Sequence, residues 1–265
     1  MIQLPESSRF HVIDESKVSP RFGHLTPRPI YVYLPELADH DHRRRFPVLY
    51  CHDGQNIWDD PHCCFGHGGW YLNQIADELT REGKMEPTIL VGIPNTHARF
   101  REYTPGKTYD DILAHPYANF VVDVVKRYVD RRFPTKKDRR HTAMLGSSLG
   151  GLVSLWMAHK LPETFHKAAC LSGAFQVRDR QKKSFVEFVK EREHQDLRIY
   201  LDCGTVQDGA PQSRKVHQAY LSCGWREGED LCYFEEKGAE HNERCWRERV
   251  WRALVFLFGN AADAK

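Results

Sequence analysis

Gly146-Ser147-Ser148-Leu149-Gly150-Gly151 is the segment of this chain best suited to chemistry. It contains Gly-x-Ser-x-Gly with Ser148 at the centre. That pattern presents a nucleophilic serine when a strand leads in and a helix leads out. The chain must reverse sharply there, and glycines on both sides of the serine remove Cβ atoms that would collide. Ser148 then projects above the carboxyl end of a sheet. The helix start supplies backbone N–H groups and a dipole that favour an anion. Ser147 occupies a variable position of the motif and is not the nucleophile.

A serine nucleophile needs a base, and the base needs an orienting carboxylate. The histidines after Ser148 are His159, His166, His194, His217 and His241. His159 and His166 lie on or beside the helix that follows the nucleophile. His194 ends a charged stretch, and His217 falls inside a helical pattern. His241 follows an apolar run, in Lys237-Gly-Ala-Glu-His241, just before the last helix. Loops beyond the carboxyl ends of strands are where α/β sheets place ligand chemistry. His241 is therefore the candidate base. Asp208, in Gly204-Thr-Val-Gln-Asp208, is the preferred acid, because its loop leaves a strand at the same end. Asp202, inside RIYLDC, is the reserve, and Asp196 and Asp230 sit at strand entrances. An oxyanion needs two backbone donors. The N–H of Leu149 supplies one; the N–H of Gln55, in His52-Asp53-Gly54-Gln55, is the candidate for the other.

The elements that must position these residues alternate. Arg28–Leu34, Phe46–Cys51, Thr88–Ile93, Thr142–Gly146, Lys167–Ser172, Arg198–Cys203 and Leu231–Glu235 read as strands. Gly69–Arg81, Tyr117–Phe133, Leu149–His159, Gln212–Ser222 and Glu243–Phe258 carry helical spacing. Apolar strands separated by helices predict one α/β domain over 1–265, with a mostly parallel sheet covered on both faces. The charged run His40–Arg45 reads as a hairpin loop between the first two strands, so the sheet should begin with an antiparallel edge. Within Arg198–Cys203, Ile199, Leu201 and Cys203 share one face, and Tyr200 and Asp202 the other. Residues 176–195 form an insertion between strands, read as a possible lid or as a helix packed on the sheet.

Lys and Arg total 38 against 36 Asp and Glu, a net charge of +2, too balanced for a general nucleic-acid binder. No apolar stretch approaches the roughly 18–20 residues that span a bilayer. Met1-Ile-Gln-Leu-Pro-Glu has neither a basic start nor an apolar core, so the expected location is cytoplasmic. Cys63 and Cys64, with His62 and His67, lack the fixed spacing of metal ligands and read as a loop; no metal is expected. Asp53, Trp58, Trp70, Arg99 and Tyr103 are candidates for a substrate pocket. For the aromatic members, core packing is an equal reading. Arg99 and Arg101 with Glu102 could bind a polar substrate or form an ion pair.

These segments together resemble a known family. YVYLP (31–35), FPVLYCHDGQNIWDD (46–60), VGIPN (91–95) and REYTP (101–105) precede the serine motif. LPETFHKAACLSGAF (161–175), LDCGTVQD (201–208) and GAEHNERCW (238–246) follow GSSLGG. In this order they resemble the esterase branch of the α/β-hydrolase superfamily that holds enterochelin-esterase-like proteins, first-family carbohydrate esterases, S-formylglutathione hydrolase and mycolyltransferases. The resemblance implies an α/β-hydrolase fold and Ser148, Asp208 and His241 as the triad. It also implies Gln55 and Leu149 as oxyanion donors. Its favouring of Asp208 over Asp202 is stronger than that of spacing. The elbow reads GSSLGG rather than the methionine-containing form common in S-formylglutathione hydrolases.

The expected function is a serine carboxylic-ester hydrolase that acts through an acyl-enzyme on a small-molecule ester. It needs no cofactor, nucleic acid or membrane. An acyltransferase with the same triad and a non-catalytic binding protein on the same scaffold are the alternatives.

Overall fold

A computed structural model describes residues 8–19, 25–41, 43–59, 63, 65–105, 113–179 and 182–259. Eight described strands form one sheet: β1 (Phe10–Ile13), β2 (Ile30–Tyr33), β3 (Val48–His52), β4 (Ile89–Ile93), β5 (Thr142–Ser147), β6 (Lys167–Leu171), β7 (Arg198–Gly204) and β8 (Leu231–Glu236). Their order is β1-β2-β4-β3-β5-β6-β7-β8. β1 and β2 are antiparallel to their neighbours. From β4 to β8 every pairing is parallel. Ser147 pairs with Leu171, Leu171 with Asp202, and Gly204 with Glu236, so the segments leaving these strands emerge along one edge.

The antiparallel edge is present, but not as a hairpin of the first two expected strands. β4 lies between β2 and β3, so the His40–Arg45 run connects non-neighbouring strands; His42 lies outside the described residues. The physical reason is that β3 and β4 form a parallel pair whose connection carries α1 (Leu72–Arg81). β4 is therefore committed to β3 on one side and takes β2 on the other. The short edge strand β1 was not anticipated.

Helices cover both faces. Alternate strand residues divide the core. Leu49, Leu145, Ala169 and Tyr200 pack with residues of α1 and α8 (Glu243–Phe258). Tyr50, Met144, Ala168, Ile199 and Leu201 pack on the opposite face. That face carries α2 (Arg99–Tyr103), α3 (Ala114–Asn119), α4 (Arg127–Arg132), α5 (Leu149–Lys160), α6 (Phe185–Lys190) and α7 (Ala210–Ser222). The expected split of Tyr200 from Ile199 and Leu201 is therefore observed. A π-helical turn, Phe120–Lys126, joins α3 to α4 where one continuous helix was expected. Its wider turn keeps Phe120, Val121, Val125 and Val129 buried together. No described helix is long and apolar enough to cross a membrane.

Two sets of ionic contacts hold the site-bearing segments. Lys167 Nζ donates to Leu257 O at 2.7 Å and Arg198 Nε to Phe256 O at 2.8 Å. Both cations sit where the terminal carbonyls of α8 lack helical partners. The Arg28 guanidinium donates to both oxygens of Glu102 at 2.7 and 2.5 Å, with side chains 2% and 0% exposed. Glu102 is thus a structural partner that ties α2 to the start of β2. We expect Glu102→Gln to cost about 3–5 kcal/mol, because it strands a buried guanidinium. Urea unfolding checks this, and a loss below about 1 kcal/mol would contradict the role.

Candidate active site

Ser148 stands between β5 and α5 with φ 54° and ψ −120°. A non-glycine residue held there is strained by about 1–3 kcal/mol. The surroundings enforce it. Ser148 N–H donates to Leu171 O at 2.9 Å, and its carbonyl accepts from Ala174 N–H at 3.1 Å. A Cβ on Gly146 would lie 2.4 Å from the carbonyl carbon of Gly150, so only glycine permits this reversal. Ser148 is half-buried, and α5 behind it is buried through His159.

The loops after β7 and β8 bring Asp208 and His241 together. His241 Nδ1 lies 2.6 Å from Asp208 Oδ1. An ionised carboxylate only accepts, so Nδ1 carries the hydrogen and Nε2 is left as the basic nitrogen. The other oxygen, Oδ2, accepts from Ser172 Oγ at 2.6 Å, from the Gly204 N–H, and from Arg249 Nη2 at 3.2 Å. Burial works to raise the Asp208 pKa. The hydrogen bonds from His241, Ser172 and Gly204 outweigh it and hold the carboxyl below its ordinary range. Trp246 sets its ring edge-on to the imidazole at 5.0 Å and donates through Nε1 to Ser172 Oγ at 2.8 Å.

Asp202 belongs to the same polar cluster one layer deeper. It accepts from Tyr200 Oη at 3.1 Å, and its Oδ1 lies 3.0 Å from Arg249 Nε. No histidine touches it among the described contacts, and Asp208 is the carboxylate that meets His241. Three members of the cluster were not anticipated: Ser172, Trp246 and Arg249. Arg249 left a readable trace, because it interrupts the buried stripe of α8 between Trp246 and Ala253.

On the other side of Ser148, β3 runs into the loop that carries Gln55. Asp53 turns with φ 52°, and Gly54 N–H donates to Ile93 O at 2.9 Å. Asn95 braces the loop twice, donating from N to Gln55 Oε1 at 3.0 Å and from Nδ2 to Asp53 Oδ1 at 2.6 Å. A Cβ on Gly150 would meet Asp53 Oδ2 at 3.1 Å and His52 Cβ at 3.2 Å, so the first turn of α5 abuts this loop. Below it His52 is buried, with Nδ1 2.8 Å from Tyr117 Oη. Burial and the charge of Arg99 push His52 down to about 3, so it is neutral.

The five pocket candidates separate. Arg99 clamps Asp53 through Nε and Nη2, both at 2.7 Å, as a support of the Gln55 loop. Tyr103 is fully buried behind it, its hydroxyl accepting from Asp53 N–H at 3.1 Å. Trp58 belongs to the core, edge-on to Phe10 at 4.9 Å and beside Tyr31 and Tyr33. Trp70 packs on Trp246 at 5.8 Å, behind the imidazole. Trp58, Trp70 and Tyr103 thus correct the pocket expectation: closing the apolar faces of sheet and loop requires large rings, and each is at most 3% exposed. In the insertion, α6 buries Phe185 and Val189; Arg180 and Gln181 lie outside the described residues. A cavity of about 160 Å³ separates it from α5, bordered by Leu152, Trp156, Lys160, Phe185 and Phe188. Cys63 Sγ donates to Gly68 O at 2.8 Å, while His62 and Cys64 fall outside the described residues. Among the described residues no three or more His, Cys, Asp or Glu cluster as metal ligands.

A depressed carboxyl pKa stabilises the fold above its unfolded value and loses that contribution on acidification. Asp208→Asn should therefore melt below wild type at pH 7. The gap should close as pH falls below about 3.8, the ordinary value for Asp. Equal gaps at pH 7 and pH 3 in thermal melts would contradict this.

Residues 24–257 match the family model described as "Putative esterase". The chain is 23% identical over 252 residues to YbbA of Bacillus subtilis (strain 168), covering 88% of this chain and 93% of that protein. It is 26% identical over 216 residues to an endo-1,4-beta-xylanase/feruloyl esterase of Xylanibacter ruminicola, covering 82% of this chain but 27% of that one. In fold it is similar to the Shigella flexneri enterobactin esterase, with a TM-score of 0.71 and 19% identity, over 96% of this chain and 60% of that one. The sheet order, the turn at Ser148 and the family match lead to one conclusion: this chain has the α/β-hydrolase fold and belongs to the putative esterase family.

Proposed function

We propose that the protein is a serine carboxylic-ester hydrolase with Ser148 as nucleophile, His241 as base and Asp208 as orienting acid. The observation that carries this reading is the Asp208–His241 contact on the same sheet edge as the strained Ser148. His241 Nε2 takes the Ser148 Oγ proton as Oγ attacks the ester carbonyl. The tetrahedral oxyanion lies against the N–H groups of Leu149 and Gln55. Leu149 begins α5, so its N–H has no acceptor within the helix. The intermediate collapses to an acyl-enzyme, and His241 returns its proton to the departing alcohol. Water then attacks, His241 again takes the proton, and it returns that proton to Ser148 Oγ as the acid leaves. Asp208 keeps the proton on Nδ1 and stabilises the imidazolium. No step calls for a cofactor. Related proteins that bear the names feruloyl esterase and enterobactin esterase support a carboxylic ester as the substrate.

Fluorophosphonate labelling read by intact mass tests the nucleophile. Wild type should gain one adduct and Ser148→Ala none. Ser148→Ala should lower kcat on a short-ester panel by about three orders of magnitude or more. A loss under about tenfold, or an adduct retained by Ser148→Ala, would remove Ser148 from the mechanism. Acyl transfer to added alcohols without release of free acid would replace hydrolysis by transfer.

A further inference from the structure

Arg249 poses an electrostatic problem for this site. Its side chain is 1% exposed, and its Nη2 lies 3.2 Å from Asp208 Oδ2. In a buried setting screening is weak, so a guanidinium at that distance cancels much of the field that the carboxylate presents to the imidazole. An orienting acid so neutralised would hold His241 in place but would stabilise its cation poorly. A second carboxylate meets the same guanidinium: Asp202, 0% exposed, with Oδ1 3.0 Å from Nε. Asp202, Arg249 and Asp208 together carry one net negative charge when all are ionised. The guanidinium donates through Nη2 to Ser172 Oγ at 2.6 Å and meets Asp202 through Nε.

We propose that Asp202 is a charge-balancing positioning residue: by engaging Arg249, it preserves the negative field of Asp208 at His241 and so sets the basicity of the catalytic imidazole. The inference rests on the triad reading above. The strand residue thus differs from the acid in role, acting on it through the arginine. Other titratable groups among the described residues face the assembly. Glu243, in the first turn of α8, has its carboxyl raised by burial and feels the charges of His67, Asp53 and His241. Tyr200 of β7 and the buried thiols Cys170 of β6 and Cys203 of β7, with Cys232 of β8, surround Asp202; burial keeps all four protonated. Burial, opposed by the charge of Arg249, pushes Asp202 up to about 6, so its compensation fades in mild acid.

The test is the pH profile of kcat/KM for wild type, Asp202→Asn, Asp202→Ala and the double variant Asp202→Asn/Arg249→Met, with thermal melts alongside. Removing the Asp202 charge leaves Arg249 against Asp208 alone. The acid limb should then move to lower pH by about one unit, the order of effect of removing one nearby charge that solvent screens weakly. Asp202→Asn and Asp202→Ala must agree in direction, and either one that folds decides. The double variant restores a single net negative charge, so its acid limb should return to within about 0.3 units of wild type. It also leaves no buried charge of the Asp202–Arg249 pair unpartnered, which favours folding. An acid limb that stays in place while the plateau or melting temperature falls would assign Asp202 a packing role and overturn the proposal. So would a displacement that the double variant retains. Failure of the triad reading looks different: Asp208→Asn would remain active while Asp202→Asn became inactive, or Ser148 would not label.

Discussion

A carboxylate sealed from water must have both oxygens satisfied, and Asp208 is the point at which that requirement is met by most of the molecule. Its Oδ1 faces His241, from the loop after β8. Its Oδ2 takes Ser172 from the end of β6, the Gly204 N–H from the end of β7 and Arg249 from α8. These elements are brought into register by the parallel pairing of β6, β7 and β8. The hydroxyl of Ser172, with φ 49° and a donor approaching from both Trp246 and Arg249, gives its own proton to the carboxylate. The polar cluster is therefore directional. Its hydrogen bonds run toward Asp208, which turns toward the imidazole.

α8 carries more of this arrangement than a covering helix would need to. Asn242 caps its start by accepting from Cys245 N–H at 3.0 Å. Lys167 and Arg198 hold its final carbonyls against the amino ends of β6 and β7. Clamped at both ends, the helix delivers Trp246 against the imidazole and Arg249 into the space between two carboxylates. A buried guanidinium between two buried carboxylates is a costly way to fill volume, since apolar residues of similar size pack as well or better. An electrostatic task accounts for such a group where packing alone does not.

The opposite wall of the site is built differently. The turn at Asp53–Gln55 has positive φ at Asp53 and is braced by side chains rather than by regular structure. Asn95 and Arg99 reach it from the segment after β4, and the Arg28–Glu102 pair secures that segment in turn. Strain at Ser148 and at Asp53 thus sits on two sides of one gap, each held by contacts that come from elsewhere in the chain. Such over-determination is what lets strained backbone persist at functional sites.

The local parts of this design were legible in the amino-acid order. A tight reversal demands glycine where a Cβ would touch backbone, so GSSLGG announces its own geometry. The strands and helices that flank it announce themselves through periodicity. The loop of His241 was marked by its place between an apolar run and the last helix. Other features depend on which distant segments meet, and one sequence leaves those open. The insertion of β4 between β2 and β3 is a competition among apolar strands of similar character. The choice between Asp208 and Asp202 turns on which loop reaches His241, and spacing only inclines it. Trp58 and Tyr103 became core because sheet and loop close over them, a matter of volume rather than residue type. Arg249 shows the boundary most clearly. Its position on the buried stripe of α8 was readable, but the two carboxylates that meet it come from β7 and the loop beyond, and only tertiary packing brings them to its Nε and Nη2.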